Sequence, residues 1–354
     1  MPQNDFSYVD SYLMPKISRT FDYTIKELPE DLRKSSVVAY AFFRAIDCVE
    51  DSPLSHESKI SLMNEIVATF SDGISSAEAL DERLFLINPK KKQYLELLRN
   101  YSRVVNASKI LDRETIALIS KYGRQMADGL SNPEIQRITT LENHHRYCHY
   151  AAAVVGYFIT NDMWAKGYIS DELLQKLMPS TDDNNPSVGK NPAHDLAVAL
   201  QLTNNIRDLH DDYIDGIYRW PSSLLSARGL TYEDVVNPEI PLDKLRLATG
   251  VLREQIDDAK RYFPSATSWI DDIPFQVHGK NGDDIKGIKK SWGSALAFSA
   301  ATLRKINTEQ FFKDKSCRKI NRKEIRKISK AVRGEIDSRR GVRSLIYNLF
   351  EDDI

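Results

Sequence analysis

Cysteine is scarce in this chain. There are three in 354 residues, Cys48, Cys148 and Cys317, and they lie far apart. That excludes a disulfide framework and a CxxC metal pair, and it fits a reducing compartment. Long apolar runs are missing as well. The best, Tyr150–Ile159, is half of the ~20 residues that a bilayer span needs. The opening stretch MPQNDFSYVD is polar and acidic, unlike a signal peptide. The expectation is a cytoplasmic protein, with peripheral contact to a membrane surface left open. Neither sign of charge dominates: 49 basic against 50 acidic residues leave a net of −1. Bulk charge therefore does not hold this chain to nucleic acid, and no nucleic-acid partner is expected. Glycine (15) and proline (14) are few, so hairpin signals are scarce. No strand–glycine turn–helix alternation marks a dinucleotide-binding unit, no repeat recurs, and GxSxG, Walker and HExxH signatures are absent.

What the chain does have is helical apolar spacing. It runs over Val37–Phe43, Ile110–Leu130, Tyr147–Ile159, Leu196–Ile206, Leu245–Ala259 and Ser294–Leu303. Breakers fall between these stretches at Ser52-Pro53, Asn88-Pro89, Ser180–Pro192, Trp220-Pro221 and Gly279–Gly287. With 42% hydrophobic residues a sizeable core is available. The expectation is an all-α fold of roughly ten or more helices in one domain, residues 1–354.

Two stretches carry chemistry. The first is Tyr40-Ala-Phe-Phe-Arg44-Ala-Ile-Asp47-Cys-Val-Glu50-Asp51. On a helix, positions 40, 44, 47 and 51 share a face. The intervening positions are apolar, so a carboxylate pair one turn apart sits on a helix buried nearly all round. Like charges so placed are costly unless a cation lies between them, and carboxylate oxygens suit Mg²⁺. The competing reading is an exposed acidic helix end, since Ser52-Pro53 follows at once. The second stretch is Gln201-Leu-Thr-Asn204-Asn-Ile-Arg207-Asp208-Leu-His-Asp211-Asp212. Positions 201, 204, 208 and 212 stack oxygen ligands along one face. One DxxxD is a weak signal. Two, each on an apolar helix with an arginine just upstream, point to Mg²⁺ ions gripping a diphosphate, with the arginines as forks on the remaining phosphate oxygens.

Weaker signals surround these. In Arg146-Tyr147-Cys148-His149-Tyr150-Ala-Ala-Ala-Val-Val-Gly156 small residues follow two tyrosines, and Tyr147 offers a hydroxyl or a π-face to a cation, or simply packs a core. Ser18-Arg19-Thr20-Phe21 says little alone, beyond a further phosphate contact from Arg19. His144, His145, His149 and His210 lack a metal-binding partner set. Finally, Lys313–Arg343 holds 13 Lys and Arg against 4 Asp and Glu, an excess of 9, so the rest of the chain carries −10. It reads as a solvated basic helix, a site for a phosphorylated cofactor, or a contact for an anionic membrane surface.

SRTF at 18–21, YAFFRAIDCVED at 40–51, YCHYAAAVVG at 147–156 and LQLTNNIRDLHDD at 200–212 resemble, in order, the motifs of the squalene and phytoene synthase family. The resemblance runs from about residue 12 to 230, and more weakly to about 330. YCHY is most similar to the squalene-forming members, and the segment ending CRKINRKE resembles their basic KIRK-like run.

The resemblance implies an isoprenoid-synthase-type helical bundle with a central apolar cavity, acting as a monomer. It implies Mg²⁺-dependent head-to-head condensation of two farnesyl diphosphates through presqualene diphosphate, with reduction by NADPH to squalene. The family's other outcomes are dehydrosqualene, phytoene, or cyclisation or phosphate loss from one prenyl diphosphate. By the same resemblance Asp47, Glu50, Asp51, Asn204, Asp208 and Asp212 hold metal. Ser18, Arg19, Tyr40, Arg44, Gln201, Asn204 and Arg207 bind substrate, and Arg318, Lys319, Arg322 and Lys323 bind NADPH. Tyr147 serves the first half-reaction, by proton relay or by cation stabilisation. Three departures stand out. Ala153 replaces a family glycine. The arginine that follows the second motif is displaced to Arg219, in Gly-Ile-Tyr-Arg-Trp-Pro at 216–221, which puts its diphosphate contact in doubt. The hydrophobic C-terminal anchor of eukaryotic members has no counterpart in the closing LFEDDI.

Overall fold

The structure, a computed structural model, describes residues 4–71, 77–87, 92–179, 188–277, 279–338 and 340–351. Among them every regular element is a helix. The fold is all-α, as the apolar spacing predicts. The chain forms two compact units, one of residues 1–133, 154–174 and 276–291, the other of residues 134–153, 175–275 and 292–354. The breaker at Asn88-Pro89, and 180–187 of the breaker Ser180–Pro192, lie outside the described residues.

The first unit is built around the helix Glu30–Glu50. No glycine or proline interrupts it, and Glu30 and Asp31 in its first turn complement the helix dipole. Phe42 packs on Phe70 of His56–Ser71 with ring centroids 4.5 Å apart, and Phe43 on Phe158 of Val154–Ala165 at 5.8 Å. Each such buried aromatic contributes roughly 2–3 kcal/mol. The spacing predicts a helix over Ile110–Leu130, whereas the helix starts at Arg113. The Asp112 carboxylate accepts from Thr115 N at 2.7 Å and caps it there. Gly279–Gly287 also reads differently in the structure. The helix Gly282–Ile306 runs straight through Gly287. A Cβ at that position would stand 2.3 Å from the Glu27 carbonyl oxygen, so Gly287 serves a close backbone approach, not a break.

This unit also buries a carboxylate. Asp162 is 1% exposed and accepts from Ser35, Thr115 and Lys166. Burial pushes its carboxyl above the usual range, and the Lys166 ammonium opposes that shift. A polar cleft of about 630 Å³ beside Lys166 is lined by Asp31, Asp112, Tyr168 and Lys280. Its charges are answered locally, by Tyr168 donating to Asp31 at 2.8 Å and Lys280 lying 3.8 Å from the same carboxylate.

In the second unit the helix Pro192–Arg207 starts on the Asn191 cap and packs on Phe263–Asp271 and Leu242–Lys260. The stretch 201–212, read as one helix, is two. Pro192–Arg207 ends, Asp208 adopts φ −90°, ψ 8°, and Leu209–Ile214 begins. Bonds from Asp208 N to the Asn204 carbonyl (2.9 Å) and from Asp212 N to the Asp208 carbonyl (2.8 Å) carry the register across the join. Tyr147–Ile159 is likewise interrupted. A single π-turn, His149–Ala153, separates Leu141–Cys148 from Val154–Ala165, and such turns frequently mark functional positions.

Candidate active site

On the helix Glu30–Glu50 nearly every residue from Val37 to Glu50 is buried. Tyr40, Arg44 and Asp47 are half-buried, as is Asp51, which caps the helix end. These four form the partly open stripe that helical periodicity predicts. Their polar groups are linked. Arg44 Nη2 donates to the Tyr40 hydroxyl at 3.1 Å, and Arg44 Nη1 lies 3.1 Å from Asp47 Oδ2. The guanidinium also lies 5.4 Å from the Tyr94 ring, a neighbour that no motif announces because it belongs to a short 3₁₀ turn far along the chain. Burial works against the Arg44 charge. Tyr40, Tyr94 and Asp47 outweigh it and hold the guanidinium firmly protonated. Its Nε, buried, has no hydrogen-bond partner. A buried N–H left open beside a carboxylate is an anion-binding feature. Glu50 differs from the stripe in being only 5% exposed.

The Ser18–Phe21 segment packs on the same stripe, with the Phe21 and Tyr40 rings 5.2 Å apart. The Ser18 hydroxyl accepts from Phe21 N at 3.2 Å and caps the helix Arg19–Ile25. The side chain of Arg19 lies outside the described residues.

The second stripe repeats the logic. Gln201, Asn204, Arg207 and Asp208 are half-buried among buried neighbours, and Asp212 is 8% exposed. Arg207 grips its neighbour Asp208 with two bonds, Nε to Oδ1 at 2.8 Å and Nη2 to Oδ2 at 2.5 Å. Burial opposes the Arg207 charge and Asp208 outweighs it. A second cation arrives from the basic segment: Lys319 Nζ lies 3.2 Å from Asp211 and 3.7 Å from Asp208. Gln201 donates to Asn205 at 2.9 Å, and Asn205 donates to His144 Nε2 at 2.9 Å, so part of the amide set supports the wall behind the stripe.

Tyr147 is 4% exposed, at the end of the helix Leu141–Cys148. The Arg219 guanidinium lies over its ring, 4.0 Å from the centroid. Of the four basic residues singled out for a cofactor, Arg318 turns inward. It is 7% exposed and donates through Nε to the Phe311 carbonyl at 3.0 Å. Arg322 and Lys323 are exposed at the start of the helix Arg322–Asp337, which Asn321 caps with Glu324. Ile328, Val332 and Ile336 form that helix's buried stripe.

The histidines pack and pair. His145 meets Asp258 at 2.6 Å, His149 lies 5.6 Å from His194, and His210 lies edge-on to Phe311 at 5.6 Å. Burial pushes His144 down to about 3 and His210 down to about 4, from 6.5. Between those values and 6.5 the unfolded chain takes up protons that the folded chain refuses. Stability is therefore complete above 6.5 and falls as the medium is acidified, by about 1 kcal/mol per pH unit for each histidine. Calorimetry from neutral pH downward should show this decline, with a shallower slope in His144→Gln. Identical slopes would contradict it.

This geometry is that of an all-α isoprenoid synthase fold: its backbone superposes on a solved structure of TcSQS in complex with the ligand E5700 with a TM-score of 0.74, covering 98% of this chain and 97% of that one at 18% identity. The family model for squalene/phytoene synthase matches residues 14–322, and the chain belongs to that family. Among curated relatives, squalene synthase ERG9 of Gibberella zeae is 28% identical over 230 residues, 62% of this chain and 44% of that protein. Squalene synthase of Rattus norvegicus is 25% identical over 268 residues, 75% of this chain and 56% of that protein. The chain thus spans about half the length of the curated relatives it matches. Among the described residues no helix is long and apolar enough to cross a membrane.

Proposed function

We propose that this chain, acting as one synthase domain, joins two farnesyl diphosphates head to head through presqualene diphosphate and, with NADPH, forms squalene. The observation that carries this reading is the pair of oxygen-lined stripes. The first lies on one helix, the second runs across the join of two, both among buried neighbours, and each has its first aspartate paired to an arginine of its own stretch, Arg44 with Asp47 and Arg207 with Asp208. Carboxylate and amide oxygens are Mg²⁺ donors. A few per stripe suit an ion that keeps waters and shares substrate phosphates. Among the described residues no three His, Cys, Asp or Glu gather into a protein cage. Asp47 and Asp51 would hold metal in the first stripe, with Glu50 beside them in sequence. Asn204, Asp208 and Asp212 would hold it in the second. Bound there, Mg²⁺ supplies positive charge for the leaving diphosphate, and NADPH supplies the hydride.

The chain's own residues do the rest. Arg44, oriented by the Tyr40 hydroxyl, and Arg207 turn from their aspartates to phosphate oxygens, and Arg44 Nε is already open. Arg19, with Ser18 shaping its helix start, adds a third guanidinium. Tyr147 acts in the first half-reaction. Lys319, Arg322 and Lys323 meet the phosphates of NADPH.

Incubation with farnesyl and geranylgeranyl diphosphates, with and without NADPH, tests the reading. Squalene from the farnesyl substrate, formed only with NADPH, is expected. Dehydrosqualene or phytoene would move the assignment within the family, and no diphosphate release from either substrate would overturn it. The basic segment has its own expected result. The double variant Arg322→Gln/Lys323→Gln should release diphosphate normally yet accumulate presqualene diphosphate and alcohols. These two are the clean pair, since Lys319 also touches Asp208 and Arg318 is a packing residue. A product ratio unchanged from wild type would reject the cofactor role and leave a solvated or membrane-facing helix.

A further inference from the structure

Two polar residues behind the second stripe have no part in the chemistry described so far. Asn205, on the helix Pro192–Arg207, is 4% exposed, and His144, on Leu141–Cys148, is 1% exposed. With Gln201 they form a chain of hydrogen bonds that has a direction. The side-chain NH₂ of Asn205 can only donate. It reaches His144 Nε2 at 2.9 Å and Cys148 Sγ at 3.5 Å, so Nε2 is the acceptor. Burial keeps His144 neutral, which gives its ring one bare nitrogen for that task. The Asn205 carbonyl oxygen is then left for the next link, and it accepts from Gln201 Nε2 at 2.9 Å. Each link fixes the sense of the one after it. The chain ends on Gln201, half-buried on the stripe with Asn204 and Asp208. Its NH₂ is spent on Asn205, so its Oε1 is the end left over.

We propose that His144 and Asn205 are positioning residues for Gln201: they set its amide so that the second stripe meets a Mg²⁺–diphosphate complex with an oxygen and not with an N–H. This rests on the proposed prenyl-transfer reading of the site. The two ends of an amide have nearly the same shape and trade places by rotation about one bond. Their chemistry is opposite. The oxygen accepts from a water of the Mg²⁺ shell or faces the ion itself, whereas an N–H in the same place is repelled by the ion. A glutamine with no partner behind it would spend part of its time in the wrong sense. A buried acceptor, fixed two links away on another helix, removes that choice. Both positioning residues are buried behind the stripe and act only through Gln201.

The test is a double-mutant cycle read by metal binding. Mn²⁺ is titrated into the full chain in the presence of inorganic pyrophosphate, and the free ion is followed by electron paramagnetic resonance. Gln201→Met, Asn205→Leu and His144→Leu should each weaken Mn²⁺ roughly 10-fold, the lower end of what a lost outer-shell partner costs. Gln201→Met/Asn205→Leu should bind no worse than Gln201→Met alone, because Asn205 has nothing left to orient. His144→Gln, which offers an acceptor oxygen in place of Nε2, should recover part of the His144→Leu loss. Should Asn205→Leu not fold, the smaller Asn205→Ser takes its place in the cycle. Additive losses in the double variant would overturn the proposal and make Asn205 a packing residue. Wild-type Mn²⁺ affinity in Gln201→Met would overturn it too, since an amide presenting its N–H contributes nothing to the ion. If wild-type protein binds Mn²⁺ with pyrophosphate but forms no presqualene diphosphate, the prenyl-transfer reading fails, and the cycle still decides the role of Asn205. No Mn²⁺ binding by wild-type protein would overturn both.

Discussion

Asp208→Asn should lower diphosphate release from farnesyl diphosphate by about three orders of magnitude, and Asp47→Asn should do the same. Each aspartate is the first carboxylate of its stripe and the one paired with an arginine, at 3.1 Å for Asp47 and 2.5 Å for Asp208. Converting either to an amide removes a negative charge from the proposed Mg²⁺ site. It also frees an arginine in the wrong place before substrate arrives. Metal stabilisation of a leaving diphosphate is worth several kcal/mol, and about 4 kcal/mol is a thousandfold in rate. The effect should fall on the rate and on Mn²⁺ binding, with far-ultraviolet dichroism unchanged. Full turnover in excess chelator, or near-wild-type rates in both variants, would sink the assignment.

Tyr147→Phe carries the second large effect. The variant keeps the ring and its contact with Arg219 and loses only the hydroxyl. If the hydroxyl moves a proton in cyclopropane formation, presqualene diphosphate should form ~10²–10⁴-fold more slowly. Single-turnover measurement of that intermediate reads the step directly. A ring acting through its π-face alone would lose little. Wild-type rates in both Tyr147→Phe and Tyr147→Ala would reduce the tyrosine to a packing residue.

Much of this was legible in the chain because helical periodicity is local. The stripe Tyr40, Arg44, Asp47 and Asp51 follows from 3.6 residues per turn and from the apolar residues between them. The all-α class follows from few breakers and long amphipathic runs. Where local geometry departs from the regular helix, periodicity misleads. Asp208 breaks the helix that carries it, and the π-turn at His149–Ala153 interrupts the tyrosine stretch. Neither has a composition that announces it.

The sequence by itself determined the all-α class, the residue types and spacing of the two oxygen-bearing stretches with their arginines, the order of the four motifs and the basic run near the end. Each is a matter of residue type and spacing within a few turns. Only the tertiary structure decided which charges are already answered. Arg318 and Lys319 are neighbours in the same basic run, yet one donates inward to the Phe311 carbonyl and the other reaches Asp208 and Asp211. Arg219, displaced by sequence, is set on the Tyr147 ring by a glycine turn and a buried tryptophan. The reason is that a charge's partner is chosen by distance and desolvation in three dimensions, and both depend on how distant segments pack.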